Sequence, residues 1–210
     1  KYGICLEPAI PGGDLKLERK GRLVIRFETT GKSAHAGSPE QGVNAIEELI
    51  KQLKTALKWR SGETTLNIGL IQGGTKINVV AEKASATLDI RFWTSSKKEK
   101  ILNALRNLTP QTQGANIKAS ILSNTSPMEK SAASIKLFEE AKAMAFSMGL
   151  ELTGGRTGGG SDASHLYGCG IPCLDGLGPD GDGIHALNEH ILVPSLVERT
   201  ALLAEILQNL

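Results

Sequence analysis

The sequence predicts an α/β protein in which a β-α-β-β-α-β unit interrupts a second, sparser α/β region. Three observations carry that prediction. Apolar and polar residues alternate most strongly at Arg22-Leu-Val-Ile-Arg-Phe-Glu-Thr and from Ala84 to Trp93. Apolar residues recur at helical spacing from Val43 to Leu57 and from Ile101 to Leu108. After Ser123 the pattern changes to one amphipathic helix, a glycine-rich stretch and short apolar pieces.

The first strand places Leu23, Ile25 and Phe27 on one face. Ser38-Pro-Glu-Gln41 then offers a cap residue, a proline at the first helical position and a capping-box glutamine. A helix is expected from there to about Lys58. Strands follow at Thr65 to Ile71 and Ala84 to Trp93, the latter burying Ala84, Ala86, Leu88, Ile90 and Phe92. Ser96-Lys-Lys-Glu99 reads as a second capping box opening a helix, and Ile117 to Leu122 as the fourth strand. This order is the split βαβ, or ferredoxin-like, arrangement, expected over residues 21–123.

Beyond it, Ser131 to Met148 reads as a helix ended by Gly149, and Pro194-Ser195 opens a last helix to about Leu207, with Glu198 completing a third capping box. The region between them supplies too few strands for a sheet of its own. Residues 1–20 are therefore assigned with 124–210 to one domain.

A hydrophobic share of 40% over 210 residues suffices for a sizeable core, and a formal charge of +2 argues against nucleic acid or an anionic membrane as partner. No apolar run is long enough to span a bilayer. Cys5, Cys169 and Cys173 contain no CxxC pair, and Cys169 and Cys173 are expected to be small buried hydrophobes. The chain opens at Lys1-Tyr-Gly-Ile with no methionine and an apolar run under way. It is read as the continuation of a longer sequence, and no compartment is assigned.

Polar residues concentrate at Glu7-Pro8, Ser33-Ala-His35-Ala-Gly37, Arg156-Thr-Gly-Gly-Gly-Ser-Asp162 and Gly176 to Glu189. Gly158, Gly159 and Gly160 could let backbone N–H groups approach an anion or carbonyl, or could form a tight strand-to-helix turn. No lysine follows them as in a P-loop, and Ser161 is not in a Gly-x-Ser-x-Gly elbow. His185, in a loop rich in glycine and acidic residues, is a candidate metal ligand or a surface histidine. His165 and His190 are given no role.

Taken together and in order, these motifs resemble the zinc-dependent exopeptidase and deacylase family of glutamate carboxypeptidase, acetylornithine deacetylase, succinyl-diaminopimelate desuccinylase and aminoacylase. The matching residues are Leu6-Glu7-Pro8, Thr30-Gly-Lys-Ser-Ala-His35-Ala-Gly, Gly42-Val-Asn-Ala45, Asn78, Asp89-Ile-Arg91-Phe, Arg156-Thr-Gly-Gly-Gly-Ser-Asp162 and Gly183-Ile-His185-Ala-Leu-Asn-Glu189. The Arg-Thr-Gly-Gly-Gly form and the Leu-Gly-Pro-Asp-Gly-Asp-Gly-Ile-His ending are most similar to the glutamate carboxypeptidase branch.

The resemblance implies a catalytic domain with a mixed sheet and flanking helices, interrupted by a ferredoxin-like dimerisation (lid) domain at 21–123. It implies two zinc ions, with Glu7 matching an acidic ligand of one and His185 the histidine ligand of the other. The family's other ligands and its general base belong to a His-x-Asp, a bridging Asp and a Glu-Glu pair in amino-terminal motifs, none of which is expected here. A catalytic zinc needs three protein ligands and an open position, so the chain alone is expected to be inactive.

His35 matches a histidine that reaches the partner subunit's site and stabilises the developing oxyanion, a donor worth about 3 kcal/mol. Asn78 matches a substrate contact, although the family has Pro where this chain has Ala81. Arg91 and Arg156 match arginines that hold the substrate carboxylate; a cross-strand salt bridge for Arg91 and loop support for Arg156 are the plainer roles. Gly158, Gly159 and Gly160 would line the substrate pocket. Independently of the family, Asp162 could support a metal ligand.

The expected substrate is a peptide or N-acyl amino acid with a free carboxylate, acted on by a homodimer formed through 21–123. The alternatives are an N-acyl-amino-acid deacylase of the same family, or a non-catalytic dimerisation or ligand-binding unit.

Overall fold

The computed structural model describes residues 1–210. Contacts part the chain into two compact units, Gly21–Thr125 (the inserted unit) and Lys1–Lys20 with Ser126–Leu210 (the split unit). In chain order the first elements are β1 (Gly3–Cys5), β2 (Leu15–Arg19), β3 (Gly21–Thr30), α1 (Ala45–Leu57), β4 (Thr64–Gly73) and β5 (Lys83–Phe92). Next come α2 (Ser95–Arg106), β6 (Asn116–Thr125), α3 (Ala132–Ser147), β7 (Gly154–Thr157) and α4 (Ala163–Gly168). The last are β8 (Cys173–Asp175), β9 (Gly181–Asp182), β10 (His190–Ile191) and α5 (Val193–Asn209). No helix is long and apolar enough to cross a membrane.

The inserted unit is an antiparallel sheet in the order β4-β5-β3-β6, the ferredoxin-like topology. Leu23, Ile25 and Phe27 of β3 and Ala84, Ala86, Leu88, Ile90 and Phe92 of β5 turn to one face, where Leu49, Leu53 and Ala56 of α1 and Ile101 of α2 cover them. Each buried Leu, Ile or Phe among them contributes about 1.5–3 kcal/mol by leaving water. Phe27 meets the edge of Trp59 with ring centroids 6.5 Å apart. On β4 the alternation breaks at a register shift between Ile68 and Leu70, leaving Leu70 and Ile71 exposed.

The split unit holds a mixed sheet in the order β1-β8-β2-β7, parallel at β1–β8 and β2–β7 and antiparallel at β2–β8. Leu15, Leu17 and Leu174 pack with Leu137, Phe138, Ala141 and Ala145 of α3 and Leu202 and Ile206 of α5. β7 is a strand of sequence Gly-Gly-Arg-Thr inside the glycine-rich stretch, where patterning predicts none. Glycine is needed there because a Cβ at Gly154 would collide with Leu17, and one at Gly155 would lie 2.7 Å from Ile10.

All three predicted capping boxes are corrected. Ser38 opens only a single 3-10 turn, Pro39–Gln41, and its hydroxyl caps nothing; the cap of α1 is Asn44, whose Oδ1 accepts from Ile46 and Glu47. α2 is capped by Thr94 rather than Ser96. Helix α5 begins at Val193, two residues before Ser195, so its cap position falls on Leu192, which has no side-chain acceptor; the Ser195 hydroxyl instead donates to Leu192 O at 2.7 Å and accepts from Asp180 N at 2.9 Å. Cys173 is buried as expected, whereas Cys169 is exposed.

Candidate functional site

In the split unit the parallel pairing of β7 with β2 brings the end of the Arg156-Thr157 strand beside Arg19. The glycine loop leaves β7 there and runs into α4. Arg19 Nη1 donates to the carbonyl oxygens of Gly159 and Gly160, both at 3.0 Å. Its Nε and Nη2 grip the two oxygens of Asp175 at 2.5 and 3.1 Å. The Ser161 hydroxyl donates to the same carboxylate at 2.6 Å and accepts from Ala163 N at 3.1 Å. Arg156 itself is exposed on its strand, as are Gly158, Gly159 and Gly160.

The loop carrying Glu7 follows β1 and is hydrogen-bonded to the segment after β8. Gly178 N donates to Glu7 O at 2.9 Å, Ala9 N to Pro179 O at 3.2 Å and Leu177 N to Cys5 O at 3.3 Å. A Cβ at Gly178 would sit 2.6–2.7 Å from the carbonyl oxygens of Leu6 and Glu7, so glycine permits this approach. The same segment continues into β9 and the turn that presents His185. His185 has φ of 65°, the one non-glycine residue in the left-handed region. Such a conformation costs on the order of 1 kcal/mol and clusters at sites of function. Glu7 and His185 are both exposed, as are Ile184 and Leu187 beside the histidine.

Electrostatics tie these pieces together. Burial pushes the Cys5 thiol up, with further upward pressure from Asp175 and Asp162. Burial and Arg19 lower the Lys16 ammonium, opposed by Asp175 and Glu7. Burial raises the Cys173 thiol to about 11, which keeps it protonated and unreactive at neutral pH.

In the inserted unit His35 and Asn78 lie on two paired loops. Ala36 N donates to Asn78 O at 3.0 Å and Val80 N to Ala34 O at 2.9 Å, and His35 bridges Val79. Gly37 N donates to His35 Nδ1 at 3.0 Å. With Nδ1 accepting, the proton of the neutral ring sits on Nε2, which is left as a donor.

Arg91 is not with them. Along β5 it lies eight residues beyond Lys83, the end next to the His35 and Asn78 loops, or about 27 Å at about 3.4 Å per residue. Its guanidinium contacts Asp89 at 3.3 Å on its own strand, and the cross-strand ion pair is Arg22 to Asp89 at 2.7 Å.

Sequence reasoning missed Arg19 and Asp175, which are 156 residues apart and outside every motif. No group of three or more His, Cys, Asp or Glu side chains is placed to hold a metal ion. The chain does contain two Glu-Glu pairs, both on helices. Glu48 is buried and accepts from Gln52 Nε2 at 2.7 Å and Gln111 N at 3.0 Å, while Glu47 is exposed in the first turn of α1. Of the second pair, Glu140 faces Lys136 one turn away on α3.

Residues 17–115 match the family described as a peptidase dimerisation domain. Across the chain there is 29% identity to the uncharacterised protein YqjE of Bacillus subtilis, covering 99% of this chain and 57% of the relative. Carboxypeptidase G2 of Pseudomonas sp. is 24% identical, with 100% and 52% covered. Among solved structures, aminopeptidase PepT of Bacillus cereus superposes with a TM-score of 0.76 at 26% identity, over 98% of this chain and 56% of that one. YxeP of Bacillus subtilis, described as a dinuclear metal binding peptidase from the M20 family, has the same fold at a TM-score of 0.68 and 16% identity, with 98% and 55% covered.

Fold and motifs together define a peptidase-type α/β chain with an inserted dimerisation domain. Residues 17–115 carry the M20 peptidase dimerisation domain, the chain as a whole is similar to peptidases of that kind, and it spans about half the length of the curated relatives it matches.

Proposed function

We propose that the chain is the part of a di-zinc peptidase that supplies the dimerisation (lid) domain, residues 21–125, and part of the catalytic domain, residues 1–20 with 126–210. The whole enzyme would hydrolyse an amide bond next to a free carboxylate, as a glutamate carboxypeptidase does. One observation carries this reading: the Glu7 loop is hydrogen-bonded to the segment that leads into His185, so both proposed ligands arise from one end of one mixed sheet. Similarity to carboxypeptidase G2 over the full chain supports the reaction class.

The residues of this chain do not form a metal centre alone. Glu7 and His185 would each give a single ligand, and the isolated chain would then lack turnover of its own. Zinc in the whole enzyme would supply water activation.

The remaining roles would fall to other residues of this chain. Arg156 would hold the substrate carboxylate with its guanidinium fork, beside Gly158, Gly159 and Gly160. His35 Nε2–H would donate to the oxyanion as it forms, with Asn78 next to it. The separation of Arg91 from His35 bears on assembly. An amino-acid-sized substrate touching both must take them from two copies of the inserted unit, which supports a homodimer.

Replacing Arg156 with Ala in the enzyme that carries this chain tests the site. KM for substrates with a free carboxylate should rise about tenfold or more, the worth of a charged hydrogen bond, with little change for amidated ones. An unchanged KM would remove Arg156 from the site and sink this reading.

A further inference from the structure

Three glycines in succession make a loose loop, and here neither their own backbone nor their neighbours demand them. None of Gly158, Gly159 and Gly160 has φ in the left-handed region. A Cβ would meet nothing within 4 Å at Gly158 or Gly160, and only ordinary contacts at Gly159. The space over the loop is open, and its conformation must be set from below.

What lies below is a salt bridge withdrawn from water. Arg19 is 2% exposed and Asp175 0%. The pair is bidentate, and the rest of the Arg19 fork reaches Gly159 O and Gly160 O while Asp175 takes the Ser161 hydroxyl. Three consecutive loop residues are thus tied to one buried pair. Such a pair is a weak source of net stability, since well-packed apolar side chains serve as well. Its distinctive contribution is geometry: a planar fork fixes the direction of each acceptor.

In a trans peptide the N–H points opposite to the C=O. With the Gly159 and Gly160 carbonyls turned toward Arg19, the N–H groups of Gly160 and Ser161 point away from it, and neither takes a partner within the chain.

We infer that Arg19 and Asp175 are positioning residues: they hold the Gly159–Ser161 segment carbonyl-side down so that the Gly160 and Ser161 amides face the open side as a prepared donor surface. That the occupant is a carboxylate or carbonyl oxygen of substrate rests on the function proposed above.

NMR relaxation on the 210-residue chain tests this, with N-acetyl-glutamate as probe. In the parent chain the order parameters of Gly158, Gly159 and Gly160 should match rigid backbone, about 0.85. In Arg19→Lys, which keeps the charge and loses the fork, they should fall toward about 0.6 or lower, while amides of α3 and α5 hold theirs. Ser161→Ala, which leaves the Arg19–Asp175 pair whole, should give a smaller fall at Ser161 and Gly160 and serves if Arg19→Lys does not fold. Loop order unchanged in these variants, or lost only together with that of α3 and α5, would overturn the inference. The probe should shift Gly160 and Ser161 amides in the parent and bind about tenfold more weakly to Arg19→Lys. A rigid parent loop that ignores the probe would instead leave the positioning intact and count against the substrate assignment.

Discussion

The two units are equal in length and differ in how they close. The inserted unit covers one face of a four-stranded sheet with two helices, and much of its exposed apolar surface lies on the edge strands, at Leu70 and Ile71 of β4 and Ile121 and Leu122 of β6. Edges of that kind accept a further strand or a second copy. The split unit buries only Leu202 and Ile206 of α5, while Ile191, Leu192, Val193, Leu196 and Val197 stand exposed in one stretch with His185 a few residues upstream. One unit is self-sufficient apart from its edges. The other offers a helix with a single side covered, and holds its loops with a buried polar network where more core might serve.

That difference can be broken most directly by striking each unit at its centre. Arg19→Met leaves Asp175 buried without its cation, which should cost about 3–5 kcal/mol. Leu88→Ala, at a fully buried position of β5, should cost about 2–5 kcal/mol. Both tryptophans, Trp59 and Trp93, lie in the inserted unit, and both tyrosines, Tyr2 and Tyr167, in the split unit. Denaturation followed by tryptophan fluorescence and by circular dichroism therefore separates the two. Arg19→Met should lower the dichroism transition with the tryptophan midpoint in place, and Leu88→Ala should lower the tryptophan midpoint. If both variants move both signals equally, the units unfold as one.

A second test sharpens the claim that the inserted unit closes itself. Glu48 is buried where α1 meets the turn after α2. Burial pushes its carboxyl up, but hydrogen bonds from Gln52, the Gln111 backbone and Thr112 outweigh it and hold the group below its ordinary value of 4.5. A carboxyl depressed in the folded state stabilises that state above its unfolded pKa and loses the contribution as pH falls through the folded value. The tryptophan-detected stability of the inserted unit should therefore decline below about pH 4.5. Glu48→Gln should cost about 1.5–3 kcal/mol at neutral pH and flatten that acid decline. An acid limb identical in parent and variant would mean that Glu48 does not carry it.

How legible the fold was follows the same division. In β3 and β5 one face is buried and the other polar, so Leu23, Ile25 and Phe27 and the Ala84-to-Phe92 series announced their strands. The β7 strand hid because glycines chosen for close packing on Leu17 have no strand signature of their own. The glycine motif was visible as a motif, but the side chains that fix it were not. Arg19 and Asp175 meet only through the parallel β2–β7 and antiparallel β2–β8 pairings, and no local pattern encodes a contact across 156 residues. Likewise, the sequence spacing of His35, Asn78 and Arg91 says nothing of the two ends of β5 at which they lie.

Helix caps are the finest case, because there the local pattern was present and tertiary pairing overrode it. Ser38-Pro-Glu-Gln41 has the residues of a capping box, yet the chain makes one 3-10 turn and then crosses Lys32, with Lys32 N donating to Val43 O at 2.9 Å and Val43 N to Lys32 O at 2.8 Å. That pairing keeps Gly42 and Val43 out of the helix. The first free amides are then those of Ile46 and Glu47, and Asn44 is the side chain in reach, at 3.0 and 3.4 Å. Asn44→Ala should thus cost about 1 kcal/mol in the tryptophan-detected transition, whereas Ser38→Ala should change it by no more than about 0.5 kcal/mol. The reverse order would show that the helix of the inserted unit begins where its sequence motif lies rather than where the crossing strand releases it.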